Sequence, residues 1–189
     1  MKFTSLHNKK QINLEKQKII FQFSLVTLAS LIAGILFIKT LSGEGVASLL
    51  DGIIKHFSTD ASLGIFIRQC LPDIICILLL YLFSFSIINY VATDLILSFL
   101  GFKFGICAHL TFLAPISLAT ASISVFLRIL LLGVILVYSC RIAIYSLHLK
   151  KFLPNGRVAI NRKPFISMTL SCMSTIGVTL IIYGLYCLL

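Results

Sequence analysis

Residues 71–113 read LPDIICILLLYLFSFSIINYVATDLILSFLGFKFGICAHLTFL, forty-three positions whose only formal charges are Asp73, Asp94 and Lys103. A spanning helix needs ~20 consecutive apolar residues, so this stretch is long enough for two, with the break falling near Thr93 and Asp94. Pro72 and Asp73 suit a helix start: proline lacks the amide hydrogen that is orphaned there, and a carboxylate faces the positive helix end. The expectation is therefore a span over 71–92, almost no loop, and a second span over 94–113, the two forming a tight antiparallel hairpin.

The rest of the chain extends the pattern. Of 189 residues, 59% are hydrophobic and 12% charged, against ~25% charged in an ordinary soluble domain, and the mean hydropathy is +1.06. The reading is all-α: a single polytopic integral membrane helical bundle over 1–189, with about five transmembrane helices plus a re-entrant or interfacial segment. Residues 19–38 form the first span, and the long apolar stretch lacks a convincing small-residue cleavage site, so it is expected to remain as an anchor. Residues 165–188 form the last span. Between Thr111 and Leu149 almost forty residues pass with few interruptions, too long for one helix across a core of ~30 Å. They are divided into an outer re-entrant segment, roughly 115–127, and a span over 129–148, with Arg128 at the outer interface.

Charge sets the expected orientation. The net charge of +10 is concentrated in two blocks beside apolar runs, residues 1–18 and 149–164. This marks a cytoplasmic side and not a nucleic-acid surface. Residues 39–69 balance their charges and form the natural translocated loop, in which Val46, Leu49, Leu50, Ile53, Ile54 and Phe57 fall at helical spacing. Such an amphipathic segment either lies on the outer leaflet or docks on its own bundle. Both basic blocks share one side only if an even number of spans separates them, and four do. The protein is thus expected in the cell membrane, multi-pass, N-terminus cytoplasmic and C-terminus extracytoplasmic.

Signs of chemistry are few. There is no HExxH helix, no GxSxG elbow, no GxxxxGK[ST] loop and no carboxylate pair within an apolar run; all six acidic residues lie at or before Asp94. No catalytic, metal or cofactor role is assigned. The six cysteines, scattered without a CxxC pair, read as small buried apolar side chains. Gly101-x-x-x-Gly105 lets another backbone approach one face of its helix, either within this chain or on a partner. Lys103 lies between these glycines near mid-membrane, where charge is costly and usually functional. Asp94 and Asp73 look too far away in depth to pair with it, so its head group is expected to snorkel to an interface or a carbonyl. His109 and Arg128 complete the set of intramembrane polar candidates.

Residues 79–109, LLYLFSFSIINYVATDLILSFLGFKFGICAH, resemble the central hairpin of the stage II sporulation protein M family, which has a hydrophobic helix with a small-residue kink, a short turn, and a helix carrying F-L-x-G-x-x-x-G. The order of basic segment, span, amphipathic outer segment, hairpin, apolar region, basic loop and last span is similar across nearly the whole chain. Two positions depart from the family pattern: His109 replaces a glycine found in some members, and Phe126-Leu127-Arg128-Ile129 stands where a proline-centred polar motif is expected. The resemblance implies a non-enzymatic scaffold or recruiter for a membrane-associated peptidoglycan-hydrolase complex in sporulation, with Gly101 and Gly105 as helix-packing glycines. Its expected partners are the bilayer and other membrane proteins. The alternative is a small transporter or permease subunit using Lys103, His109 and Arg128.

Overall fold

The structure, a computed structural model, describes residues 2–58, 63–86, 88–152 and 158–187. Among these, six helices follow in order: α1 (Lys2–Phe37), α2 (Gly43–Ser58), α3 (Leu63–Phe83), α4 (Asn89–Leu113), α5 (Leu118–Leu149) and α6 (Arg162–Tyr186). A 3-10 turn, Ile38–Thr40, ends α1, and the strands β1 (Lys150–Phe152) and β2 (Val158–Ile160) pair antiparallel between α5 and α6. This hairpin is the one element the all-α expectation lacked; the turn signal Pro154-Asn155-Gly156 lies outside the described residues.

Four helical segments are long and apolar enough to cross a membrane: Leu14–Thr40, Asn89–Leu113, Leu118–Leu147 and Arg162–Tyr186. Their outward faces carry Leu25, Leu28, Ile32 and Leu36 on α1 and Leu170, Met173, Ile181 and Leu185 on α6, each about 40–70% exposed. Water would penalise apolar faces of this extent, whereas lipid does not. The chain is a helical membrane bundle.

Several expected boundaries are corrected. Helix α3, which holds the expected second span, begins at Leu63, eight residues before the expected start, and Pro72 lies inside it; its apolar stretch, Gln69–Phe83, is shorter than the four spans. The turn after it falls at residues 84–88 and not at Asp94. Ser84 and Ser86 close that turn through backbone bonds to Leu80 and Phe83, and the Ile88 amide donates to Ser86 Oγ. Finally, no division occurs at Arg128. The separate re-entrant segment at 115–127 and the span start at Ile129 give way to one continuous helix of 32 residues. Ser117 starts it as N-cap, its Oγ accepting from the Thr120 amide at 3.1 Å, just after Pro115.

Helix α1 lies parallel to α4, not to its sequence neighbours. Phe23 meets Tyr90 (ring centroids 6.5 Å apart) and Phe37 meets Phe102 (5.3 Å). Antiparallel neighbours complete the bundle: Asn89 of α4 donates to Ser146 Oγ of α5 (2.9 Å), and Tyr81 of α3 bonds Thr169 of α6 (2.9 Å). Phe85 also lies 6.1 Å from Phe165. These contacts bring the 84–88 turn, the end of α5, the β hairpin and the start of α6 to one end of the bundle, toward which the N-terminal part of α1 also extends. The described parts of both basic segments thus lie toward the same end. At the other end, α2 packs against α4. Phe23, Ile77, Leu80, Leu97, Leu100, Leu131 and Ile135 fill the interior between them, all but excluded from the surface.

Candidate functional site

Helix α3 starts two turns earlier than its proline suggests, which carries Asp73 to mid-helix, ten residues and so ~15 Å from either end. There its side chain is completely buried. Lys103 sits ten residues before the end of α4, at a matching depth. Its Nζ lies 2.6 Å from Asp73 Oδ1, the lysine side chain 28% exposed and the aspartate 0%. This overturns the expectation that the two lie at different depths and that Lys103 snorkels alone. The second carboxylate oxygen accepts a hydrogen bond from the Tyr183 hydroxyl of α6. Both Asp73 oxygens are therefore satisfied, as a charge in a low-dielectric interior requires.

The network reaches a fourth helix. Tyr183 and Tyr186, one turn apart on α6, meet edge to face with ring centroids 6.5 Å apart. Arg128 of α5 donates to the Tyr186 hydroxyl and stacks over that ring at 4.9 Å. A guanidinium matched to an aromatic face gains cation–π attraction, which strengthens where water is excluded. Lys103, Asp73, Tyr183, Tyr186 and Arg128 thus form a polar seam tying α4, α3, α6 and α5 together. It carries two positive charges and one negative. His109 does not join it, being half-buried on α4 beyond Lys103.

Asp94, the other acidic residue of the apolar region, stands one helix end away. It accepts from the Gln22 amide of α1, and its Oδ1 is buried without a partner. All six cysteines are free thiols, and among the described residues no group of three His, Cys, Asp or Glu side chains converges as a metal site.

The glycines form a second feature. A Cβ on Gly105 would stand 2.2 Å from the Leu31 carbonyl oxygen, and one on Gly34 would stand 2.2 Å from that of Phe102. On Gly101 it would meet Ser30 Oγ at 2.1 Å and the Thr27 carbonyl at 2.8 Å. The G-x-x-x-G face of α4 is therefore occupied by α1 of the same chain, with backbone meeting backbone at Gly34 and Gly105. Gly34 was not singled out from the sequence, although Ser30-x-x-x-Gly34 is a small-xxx-small pattern that signals such an approach. In sequence Asp73 has the signature of a helix start, and only the i, i+3 spacing marks the tyrosines. Comparison with family models, with curated proteins and with solved structures returned no match for this chain.

Proposed function

We propose that this protein is a non-enzymatic membrane scaffold of the stage II sporulation protein M type, recruiting a peptidoglycan-remodelling complex. The observation that carries the scaffold reading is the Lys103–Asp73–Tyr183 arrangement: the one buried carboxylate of the seam is matched by a lysine and a tyrosine from two other helices and ties the three together, as a rigid support requires. The sporulation assignment rests on the quoted hairpin text and the order of segments. Affinity purification from native membranes of growing and sporulating cells tests it. Cell-wall hydrolases are expected among the recovered proteins; an ATPase, or this protein alone, sinks the assignment.

The proposed topology has five crossings, α3 being the fifth, with the N-terminus and both basic segments cytoplasmic and the C-terminus outside. The 21 residues of α3 reach ~31 Å, and the positive-inside bias favours the basic end as cytoplasmic. Ser42 and Asn161, both exposed, then lie on opposite sides. Single cysteines at these positions should react differently with a membrane-impermeant maleimide: Ser42→Cys in intact cells, Asn161→Cys only after permeabilisation. Labelling of both from one side removes α3 as a crossing.

A transporter or permease subunit is the second reading, favoured by the polar seam itself, since a carboxylate shared between a lysine and a tyrosine at mid-depth is the kind of element that a coupled ion rearranges. Substrate flux would then depend on Lys103 and Arg128.

A further inference from the structure

Between α5 and α6, on the face turned to lipid, runs a groove of about 590 Å³ whose lining includes Leu130, Gly133 and Val137 and, toward the basic end, Arg141, Ser171 and Thr175. We propose that it holds an anionic phospholipid from the leaflet at that end, the phosphate on Arg141 and Ser171 and an acyl chain along Leu130–Gly133–Val137. Arg141 is exposed, eight residues and so ~12 Å before the end of α5. The 32 residues of α5 span ~48 Å, more than the ~30 Å hydrocarbon core, so Arg141 stands near the headgroup level of that leaflet, where its guanidinium can meet a lipid phosphate.

Among the described residues no anion is supplied to it. The acidic residues all lie at or before Asp94; Asp73 holds Lys103, Asp94 takes Gln22, and among the described residues no carboxylate bonds Arg141. The neighbouring hydroxyls sort in the same sense. Ser174 and Thr175 donate to the Ser171 carbonyl (3.0 and 2.8 Å), whereas among the described residues the Ser171 hydroxyl has no partner and can donate to a phosphate oxygen. Beyond the polar end the lining is apolar, and a Cβ on Gly133 would meet nothing within 4 Å, which leaves space for a chain. A second copy of the protein fits less well, because a two-fold contact across this groove brings two Arg141 charges together.

The chain contains no tryptophan, so Val137→Trp, at a 54% exposed position in the groove, gives a single reporter for quenching by brominated lipids in reconstituted bilayers. Brominated phosphatidylglycerol is expected to associate about fivefold more strongly than brominated phosphatidylcholine, the effect of one basic side chain near an anionic headgroup. Adding Arg141→Gln should bring the two lipids to parity, while Arg141→Lys should keep most of the preference. Adding Gly133→Leu fills the groove without changing charge and should lower quenching by both lipids. Equal quenching in the reporter protein overturns the proposal. So does a preference that survives Arg141→Gln, which would mean diffuse attraction by the basic end. Loss of the preference in inorganic phosphate would assign the site to the free ion. Weak quenching by both lipids, together with cross-linking of Val137→Cys between copies, would assign the groove to a second copy.

Discussion

Gly105→Ala should destabilise the bundle by about 3 kcal/mol, at the upper end of what overpacking a tight interior usually costs, because the added carbon meets backbone and not a side chain that can turn aside. The obstacle is the Leu31 carbonyl oxygen at 2.2 Å, with the Ile35 amide nitrogen at 3.0 Å. Relief requires α1 to move away from α4 as a unit. Gly34→Ala should behave alike, since its obstacle is also a carbonyl, that of Phe102. Gly101→Ala should cost less, about 1–2 kcal/mol, because its nearest obstacle is the Ser30 hydroxyl, which can rotate, while the Thr27 carbonyl at 2.8 Å still requires a shift. Gly133→Ala, with open space around it, should be neutral or stabilising by up to ~1 kcal/mol through helix propensity. Reversible unfolding in mixed micelles ranks the four. Equal effects at Gly105 and Gly133 would refute the parallel packing of α1 on α4. Replacing both Gly101 and Gly105 by leucine should separate the helices while leaving membrane insertion intact. If the proposed scaffold needs that packing, partner recovery should fail with it.

Where hydropathy decides, the sequence was legible. The first and last spans and the helix ending at Leu113 follow from long apolar runs, and in the fold the start of α1, the β hairpin and the start of α6 lie toward one end of the bundle. Boundaries set by single residues were misread. Proline at a helix start and proline inside a helix look identical in sequence, and choosing the former displaced Asp73 by two turns and hid its pairing with Lys103. The division of α5 came from treating ~30 Å as a limit on helix length, whereas a helix can extend past the hydrocarbon or tilt within it. Gly101 and Gly105 carried a readable spacing, but their partner helix did not. Parallel packing of α1 on α4 depends on the return of the chain through α3, whose apolar run is interrupted by Arg68, Gln69, Pro72 and Asp73.

The second large effect is expected at the ion pair, where the order of the variants matters more than any one value. Lys103→Met leaves the fully buried Asp73 with Tyr183 alone and should cost about 3–5 kcal/mol, as breaking a buried pair from one side does. Asp73→Asn should cost nearer 1 kcal/mol, because the amide oxygen still accepts from Tyr183 and the lysine, 28% exposed, can direct its ammonium group away. Asp73→Leu combined with Lys103→Met removes both charges together, and should recover most of the loss in Lys103→Met, since replacing a buried pair by apolar groups is often neutral or better. Tyr183→Phe in that background should then change little, having no carboxylate left to bond. This double variant also separates the two functional readings. A scaffold whose ion pair only joins α3 to α4 keeps partner recovery once stability returns. A transporter that moves its substrate past Asp73 stays inactive in a flux assay at any stability, because the group that must bind and release is gone.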